Sequence, residues 1–273
     1  MKILLTGSSG FIGQHIYSAL KASGYEVISA SRSNRMDFNQ MLQVKDWLPY
    51  LESVAVVINC VGIIVETKQQ RFLNLHNRAP SALFRACEQA GVSRVIQISA
   101  LGVDENALTP YQQSKKAADD VLRNLSIDWF ILRPSLVYGD ESASTRFFNQ
   151  LAKLPVLPLV SGGTQRIQPV HIMDIVDLVL ACLTATPAKK TIDVVGPKAM
   201  TLAEWIQLLR SQFNKPRSCI IPIPYKWSLN MSYLFQSFVP LLHPDNLRML
   251  QQGNTSDDDS MLKLLWRARR ELP

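Results

Sequence analysis

Lys2-Ile-Leu-Leu-Thr-Gly-Ser-Ser-Gly-Phe-Ile-Gly13 decides the fold. A short apolar run ends at Thr6 and breaks into a turn with glycine at positions 7, 10 and 13. Apolar residues then recur at helical spacing (Ile12, Ile16, Ala19, Leu20) until Gly24 stops them. The pattern predicts a strand over 2–6 and a helix over 11–23. Glycines between a strand and a helix permit a tight bend and close backbone approach to a pyrophosphate. The helix N-terminus adds unpaired N–H groups and a favourable dipole, and the third glycine lets the helix lie close on the sheet. A plain strand-to-helix turn with convenient glycines is the competing reading, and three glycines in this setting count against it.

Beyond this segment, strand and helix signals alternate. Tyr25–Ala30, Val54–Val61, Arg94–Ser99, Trp129–Leu132 and Thr191–Val195 read as strands, and VAVVINCV (54–61) is β-branched enough for a strand buried on both faces. Ala79–Ala90 and Tyr111–Leu125 read as helices. Such alternation implies βαβ units and an α/β, doubly wound parallel sheet, the Rossmann fold, with a smaller C-terminal cap. The expected division is 1–138 with 170–196 for the sheet domain, and 139–169 with 197–273 for the cap and substrate cleft. Residues 139–169 read as loops with the proline-punctuated LPVLPLV, and Val170–Leu183 as helix. Thr201-Leu-Ala-Glu204 is a capping box opening another helix, and 215–245 is rich in proline and aromatics.

Composition narrows the function. With 273 residues and 47% hydrophobic content the chain can bury a sizeable core. Its net charge of +7 comes from 29 basic residues interspersed with 22 acidic ones, and it lacks nucleic-acid motifs, so no nucleic-acid partner is expected. Cys60, Cys87, Cys182 and Cys219 are scattered without a Cys-x-x-Cys pair, which fits a reducing compartment. The start does not read as a signal peptide, and no apolar run of about 18 residues suggests a membrane span. The cytoplasm is the expected location. The uncharged stretch 227–242 and the basic residues Lys263, Arg267, Arg269 and Arg270 keep a peripheral contact with an anionic membrane open, although such basic runs are usually solvated.

The second strand ends Ile28-Ser-Ala-Ser-Arg-Ser33. An NAD(H) site calls for a carboxylate here to hold the adenosine ribose; none is present, and Arg32 suits the 2′-phosphate of NADP(H). NADP(H) is therefore favoured, with NAD(H) as the alternative. Tyr111-Gln-Gln-Ser-Lys115 puts a phenol and an ammonium on one face of a helix. A nearby cation favours the phenolate, which would let Tyr111 exchange a proton with a substrate oxygen; Ser99, ending a strand, could polarise that oxygen.

With these motifs in order, the chain resembles the extended or atypical short-chain dehydrogenases/reductases. The resemblance runs through Thr6–Gly13, Asn59–Gly62, Asn77, Ser99, Tyr111, Lys115, Arg133–Gly139, Gln168–His171 with Asp174, and Val195–Pro197 before Thr201. Within that branch it is similar to relatives of the NADPH-carrying accessory subunit of mitochondrial complex I. The resemblance implies that Gly7, Ser9, Gly10, Phe11, Ile12 and Gly13 surround the pyrophosphate. It also implies that Asp37 sits by the adenine and that Val61 and Gly62 line the adenosine side. Lys115 would bind the nicotinamide ribose, the backbone near Pro134 would hold the carboxamide, and Asn77 would support a proton relay beside Ser99, Tyr111 and Lys115. The interval from Ser99 to Tyr111 is shorter than in typical sugar-nucleotide epimerases, and Ala100 replaces a frequent serine or threonine.

Three functions follow. The first is an NADP(H)-dependent oxidoreductase acting on a small carbonyl or alcohol substrate. The second is an NADPH-binding assembly or redox-sensing protein with little turnover and a respiratory-complex partner. The third and weakest is a sugar-nucleotide epimerase or dehydratase. Pairing into a homodimer is common in the family. No metal is expected: His15, His76, His171 and His243 lack ligand spacing. Asp257–Asp259 reads as a turn or helix cap, Cys60 as a core residue, and Arg146, Phe147 and Phe148 as either substrate contacts or cap packing.

Overall fold

A computed structural model of the chain describes residues 1–30, 36–235, 243–265 and 267–273. Arg32, on which the NADP(H) expectation rests, lies outside the described residues, as does the second half of the 227–242 stretch. The chain begins β1 (Lys2–Thr6), α1 (Phe11–Ala22), β2 (Glu26–Ala30), α2 (Val44–Trp47) and β3 (Val56–Asn59). A π-helical turn (Leu73–Arg78) runs into α3 (Ala79–Gln89), followed by β4 (Arg94–Ile98), α4 (Pro110–Arg123), β5 (Asp128–Pro134) and β6 (Val137–Tyr138). Then come α5 (Ala143–Ala152), β7 (Val156–Val160), β8 (Arg166–Ile167), β9 (Val170–His171), α6 (Ile172–Cys182) and β10 (Lys190–Val194). The chain closes with β11 (Met200–Thr201), α7 (Leu202–Ser211), β12 (Cys219–Ile223), α8 (Tyr225–Phe235), α9 (Pro244–Gln252) and α10 (Ser260–Leu265).

Two compact units result. The first comprises Met1–Pro134, Ile172–Val194 and Asp258–Arg267. Its sheet has the order β2-β1-β3-β4-β5-β10, every neighbouring pair parallel. Parallel strands need crossover connections, and those here are mainly helices, so both faces of the sheet are covered and the central strands β1 and β3 read as near-continuous apolar runs. Leu4, Val57 and Val95 stand in register on one face and pack with Trp47, Leu83 and Phe84. The alternate residues Ile3, Leu5, Ile58 and Ile96 are fully buried on the other face, which α1 and α6 cover side by side. The strand order reverses between β1 and β3, and open α/β sheets bind ligands at such a switch point, outside the carboxyl ends of the strands.

The segment Asp258–Arg267 belongs with this unit, although the sequence reading placed 197–273 wholly in the cap. Met261 of α10 is fully buried, and Arg267 donates to Asp174 at 2.8 Å and to Asp177 at 2.5 Å, so this member of the basic C-terminal group is not simply solvated. Asp258 accepts from the Ser260 N–H at the start of α10 and from the Asp193 N–H of β10.

The second unit comprises Ser135–His171, Val195–Asp257 and Ala268–Pro273. Residues 143–152, read as loop, form α5 because the Ser142 hydroxyl caps the Thr145 N–H and because Phe148 and Leu151 pack on the unit's core. LPVLPLV is likewise a strand: β7 pairs in parallel with β12. A two-stranded ribbon has only edges, so Pro158 and Pro222 cost it little. The Thr201–Glu204 box caps α7, whose Trp205, Ile206 and Leu209 pack with Tyr138, Leu157 and Ile167. Among the described residues, no helix is long and apolar enough to cross a membrane.

Candidate functional site

The glycine turn is shaped by two close approaches. Gly7 has φ +71°, and a Cβ there would lie 2.7 Å from the Cys60 carbonyl carbon at the end of β3. A Cβ on Gly13 would lie 2.1 Å from the Gly7 carbonyl oxygen, closer than two non-bonded atoms can stand. The Gly10 N–H closes the turn onto the same Gly7 oxygen at 3.0 Å. No side chain caps α1 at Gly10, and its first turn holds no acidic residue. The helix terminus therefore retains donors and dipole for an anion. The hydroxyls of Ser8 and Ser29, 2.5 Å apart, tie the turn to β2.

A cleft of about 160 Å³, open to solvent, lies at this turn. Gly7, Ser9, Gly10, Asp37, Val61 and Gly62 line it, together with Ala30, Phe38, Cys60 and Ile63, which the sequence reading did not assign to a site. Phe11 and Ile12 open α1 behind the turn, where the Phe11 ring meets His15 edge-on. The Asp37 carboxylate accepts from the N–H and side-chain amide of Asn39, which fixes its loop. An uncapped helix end facing backbone that tolerates no Cβ fits the pyrophosphate of a dinucleotide. Burial pushes the Cys60 thiol up to about 12, against the pull of Lys115, so Cys60 is a neutral wall of the cleft.

Tyr111 and Lys115 lie one turn apart on α4, which Thr109 and Gln112 cap reciprocally. The buried Lys115 ammonium donates to the Ile98 carbonyl at 3.1 Å and stands 5.9 Å from the centre of the Tyr111 ring. A Cβ built on Gly62 would lie 3.5 Å from Lys115 Nζ, so the ammonium borders the cleft. Burial holds the Lys115 ammonium below its ordinary pKa, while Asp119 and Cys60 oppose that shift. The Tyr111 phenol is pushed up, first by burial and then by the charge of Asp119. In this state Tyr111 is a phenol, not the phenolate that the motif alone suggests. Ser99 follows β4, its N–H bonded to Leu132 O at 2.7 Å. Asn77 sits in the π-helical turn and accepts from the Ser81 hydroxyl at 3.3 Å, a bond within its own helix. Pro134 ends β5, its carbonyl accepting from the Leu101 N–H at 2.9 Å.

Two residues to which the sequence assigns no place in the site, His76 and Asp119, hold this group together. His76 Nε2 accepts from the Ile63 N–H at 3.0 Å, so its proton is on Nδ1, facing Ser114 Oγ at 3.1 Å. Its ring stacks on Phe72 and meets Tyr111 edge-on, with centroids 5.4 Å apart. Burial and the Lys115 charge keep His76 neutral, far below its ordinary pKa. Asp119, fully buried, accepts the Ser99 hydroxyl at 2.5 Å. A polar chain runs beneath the cleft toward it: Thr6 Oγ1 donates to Asn59 at 2.5 Å, and Asn59 donates to Gln97 at 2.7 Å. Asn59 also accepts from the Val61 N–H at 3.2 Å, which steers the strand end into the cleft wall. Among the described residues, no group of three His, Cys, Asp or Glu is placed to hold a metal ion.

The model of the NAD dependent epimerase/dehydratase family matches residues 3–196. Among curated proteins, the chain is 27% identical over 239 residues to the mitochondrial NADH dehydrogenase [ubiquinone] 1 alpha subcomplex subunit 9 of Arabidopsis thaliana, covering 80% of this chain and 60% of that one. It is 28% identical over 239 residues to a ceramide reductase of Caulobacter vibrioides, covering 81% and 74%. The chain thus spans 60 to 64% of the length of the subunit 9 proteins of Arabidopsis, mouse and rat. Among solved structures, a nucleoside-diphosphate-sugar epimerase of Staphylococcus aureus superposes with a TM-score of 0.77 at 15% identity, covering 99% of this chain and 98% of that one. A UDP-glucuronic acid 4-epimerase of Bacillus cereus, in complex with UDP-glucuronic acid and NAD, gives 0.73 at 20%, covering 100% and 95%. These structures share the fold, and the family match spans the phosphate turn, the polar chain and the Tyr-x-x-x-Lys helix alike. The chain belongs to the NAD dependent epimerase/dehydratase family.

Proposed function

We propose that the protein is an NADP(H)-dependent oxidoreductase that moves hydride to or from a small carbonyl or alcohol substrate. The observation that carries the reading is Lys115, its ammonium against Gly62 at the cleft edge and one helical turn from Tyr111. A nicotinamide dinucleotide supplies the hydride chemistry when bound. The turn Gly7–Gly13 with Ser9, Phe11 and Ile12 would hold its pyrophosphate, Val61, Gly62 and Asp37 its adenosine end, and Lys115 and Pro134 its nicotinamide end. Tyr111 holds its proton in this structure, so it serves first as a donor, which suits reduction of a carbonyl. Lys115, held below its ordinary pKa by burial, stands beside the developing phenolate, and Asn77 would assist reprotonation. The 31–35 segment carries Arg32 and Arg35 and no acid, which favours NADP(H) over NAD(H).

Replacing Tyr111 by Phe is expected to abolish turnover of carbonyl substrates while leaving cofactor affinity within about twofold, since the hydroxyl acts on substrate. Unchanged turnover would remove Tyr111 from the mechanism. A second reading, a cofactor-holding assembly or redox-sensing protein with little turnover, draws support from the Ser99 hydroxyl being turned into Asp119 and from the likeness to the complex I subunits. It calls for tightly retained NADPH and a stable respiratory-complex partner. A gentle pull-down without such a partner, together with measurable turnover, would exclude it.

A further inference from the structure

We propose that Asp119 is a proton-sensitive positioning residue: ionised, it holds the Ser99 proton inward, and protonated, it returns that proton to the cleft. The proposal deepens the oxidoreductase reading and rests on it for the role of Ser99. A serine hydroxyl has one proton to donate. In the structure that proton goes to Asp119 Oδ2 over 2.5 Å, so Ser99 has none left for a substrate oxygen. When one proton from solvent adds to the carboxylate, the new O–H donates to Ser99 Oγ and the serine proton is free to turn outward. The donor is hydronium: one of its O–H bonds breaks as the carboxyl O–H forms, and it leaves as water.

The surroundings keep both states within reach. Both carboxylate oxygens are held inside the protein, Oδ2 by the Ser99 hydroxyl, with the Gln97 side chain also at hydrogen-bonding range of the group and Oδ1 buried without a close partner. Burial lifts the Asp119 carboxyl to about 6, while Ser99, Lys115, Arg123 and Gln97 pull it down. Those groups face it from α4 and from β4 with its extension, and Tyr111 on α4 feels its charge. Behind Lys115, His76 and Cys60 approach from the π-helical turn and the end of β3, both neutral. Lys115 is the main cation of the group, since Arg123 is also engaged by Asp120.

The test is carboxyl carbon NMR on the full chain with labelled aspartate, titrated with acid. The expected result is one resonance titrating near pH 6, missing in Asp119→Asn and moved upward by about one pH unit in Ser99→Ala, which removes a charge-assisted hydrogen bond. Should Asp119→Asn fail to fold, the shift in Ser99→Ala, a loss of one oxygen, identifies the resonance. A carboxyl that ionises in the ordinary aspartate range, or one indifferent to Ser99→Ala, overturns the proposal. Turnover is read separately: loss of the acid-side pH dependence in Asp119→Asn supports the proposal, and its persistence overturns it. A wild-type protein inert toward every carbonyl defeats the oxidoreductase reading and leaves the titration to decide this one.

Discussion

A methyl group on Gly13 would have to occupy space 2.1 Å from the Gly7 carbonyl oxygen, and neither atom can yield without opening the turn. Gly13→Ala is therefore expected to cost about 1–3 kcal/mol of stability, in the range of overpacked sites, and to weaken NADPH binding at least about tenfold. Chemical denaturation and calorimetric titration check the two effects. His76 and Asp119 carry opposite pH signatures. His76 stays neutral when folded but protonates near 6.5 when unfolded, so its contribution is lost as pH falls through 6.5. Asp119 ionises near 6 when folded and near 3.8 when unfolded, so its contribution is fully present below 3.8 and lost as pH rises through 6. The stability of wild type relative to His76→Phe should thus fall on acidification from 6.5, and that relative to Asp119→Asn should rise between 6 and 3.8. Urea midpoints across this range measure both. At this scale the glycines were legible because sterics act within a few residues of chain. Asp119 was legible in principle, standing four residues beyond Lys115 as Lys115 stands four beyond Tyr111. What makes that stripe chemical is the approach of Ser99 from β4, a contact that no helical period encodes.

The elements of the first unit follow their sequence signals closely: β1 and α1 end within a residue of the expected limits, and β4 and α4 within two. The π-helical turn ahead of α3 is not legible from the sequence because its period departs from 3.6 residues per turn, and it carries His76 in a mutual cluster of rings with Phe72 and Tyr111. The second unit was harder. Its β7 and β12 contain proline and gain meaning only from each other, and α5 depends on a serine cap and on packing. The α10 segment is joined to α6 through a remote ion pair as well as through buried Met261. Arg267→Ala would leave Asp174, fully buried, without its guanidinium. We expect a loss of about 2 kcal/mol, between the values for exposed and fully buried pairs because the arginine is part-exposed, read from the urea midpoint. A change below about 0.5 kcal/mol would show that α10 is held by other contacts.

Across the whole chain, the order of strands matters more than any single residue. Because the sheet reverses between β1 and β3, the carboxyl ends of both strands open into one cleft, and the turn after β1, the 60–63 backbone and Lys115 converge there. The sequence order of motifs carried that convergence, since parallel strands and right-handed crossovers leave few alternatives. Substrate identity was not legible, because specificity in such folds resides in loops and caps rather than in the sheet. The proposed function stands on a dinucleotide site at the Gly7–Gly13 turn with preference for the 2′-phosphate. Calorimetric titration of the cofactor-free chain with NADPH and NADH, repeated on Arg32→Ala, tests it most directly. One site per chain is expected, with NADPH bound at least about tenfold tighter than NADH and that margin lost in the variant. Equal affinity for the two cofactors would contradict the preference, and binding of neither would contradict the site itself.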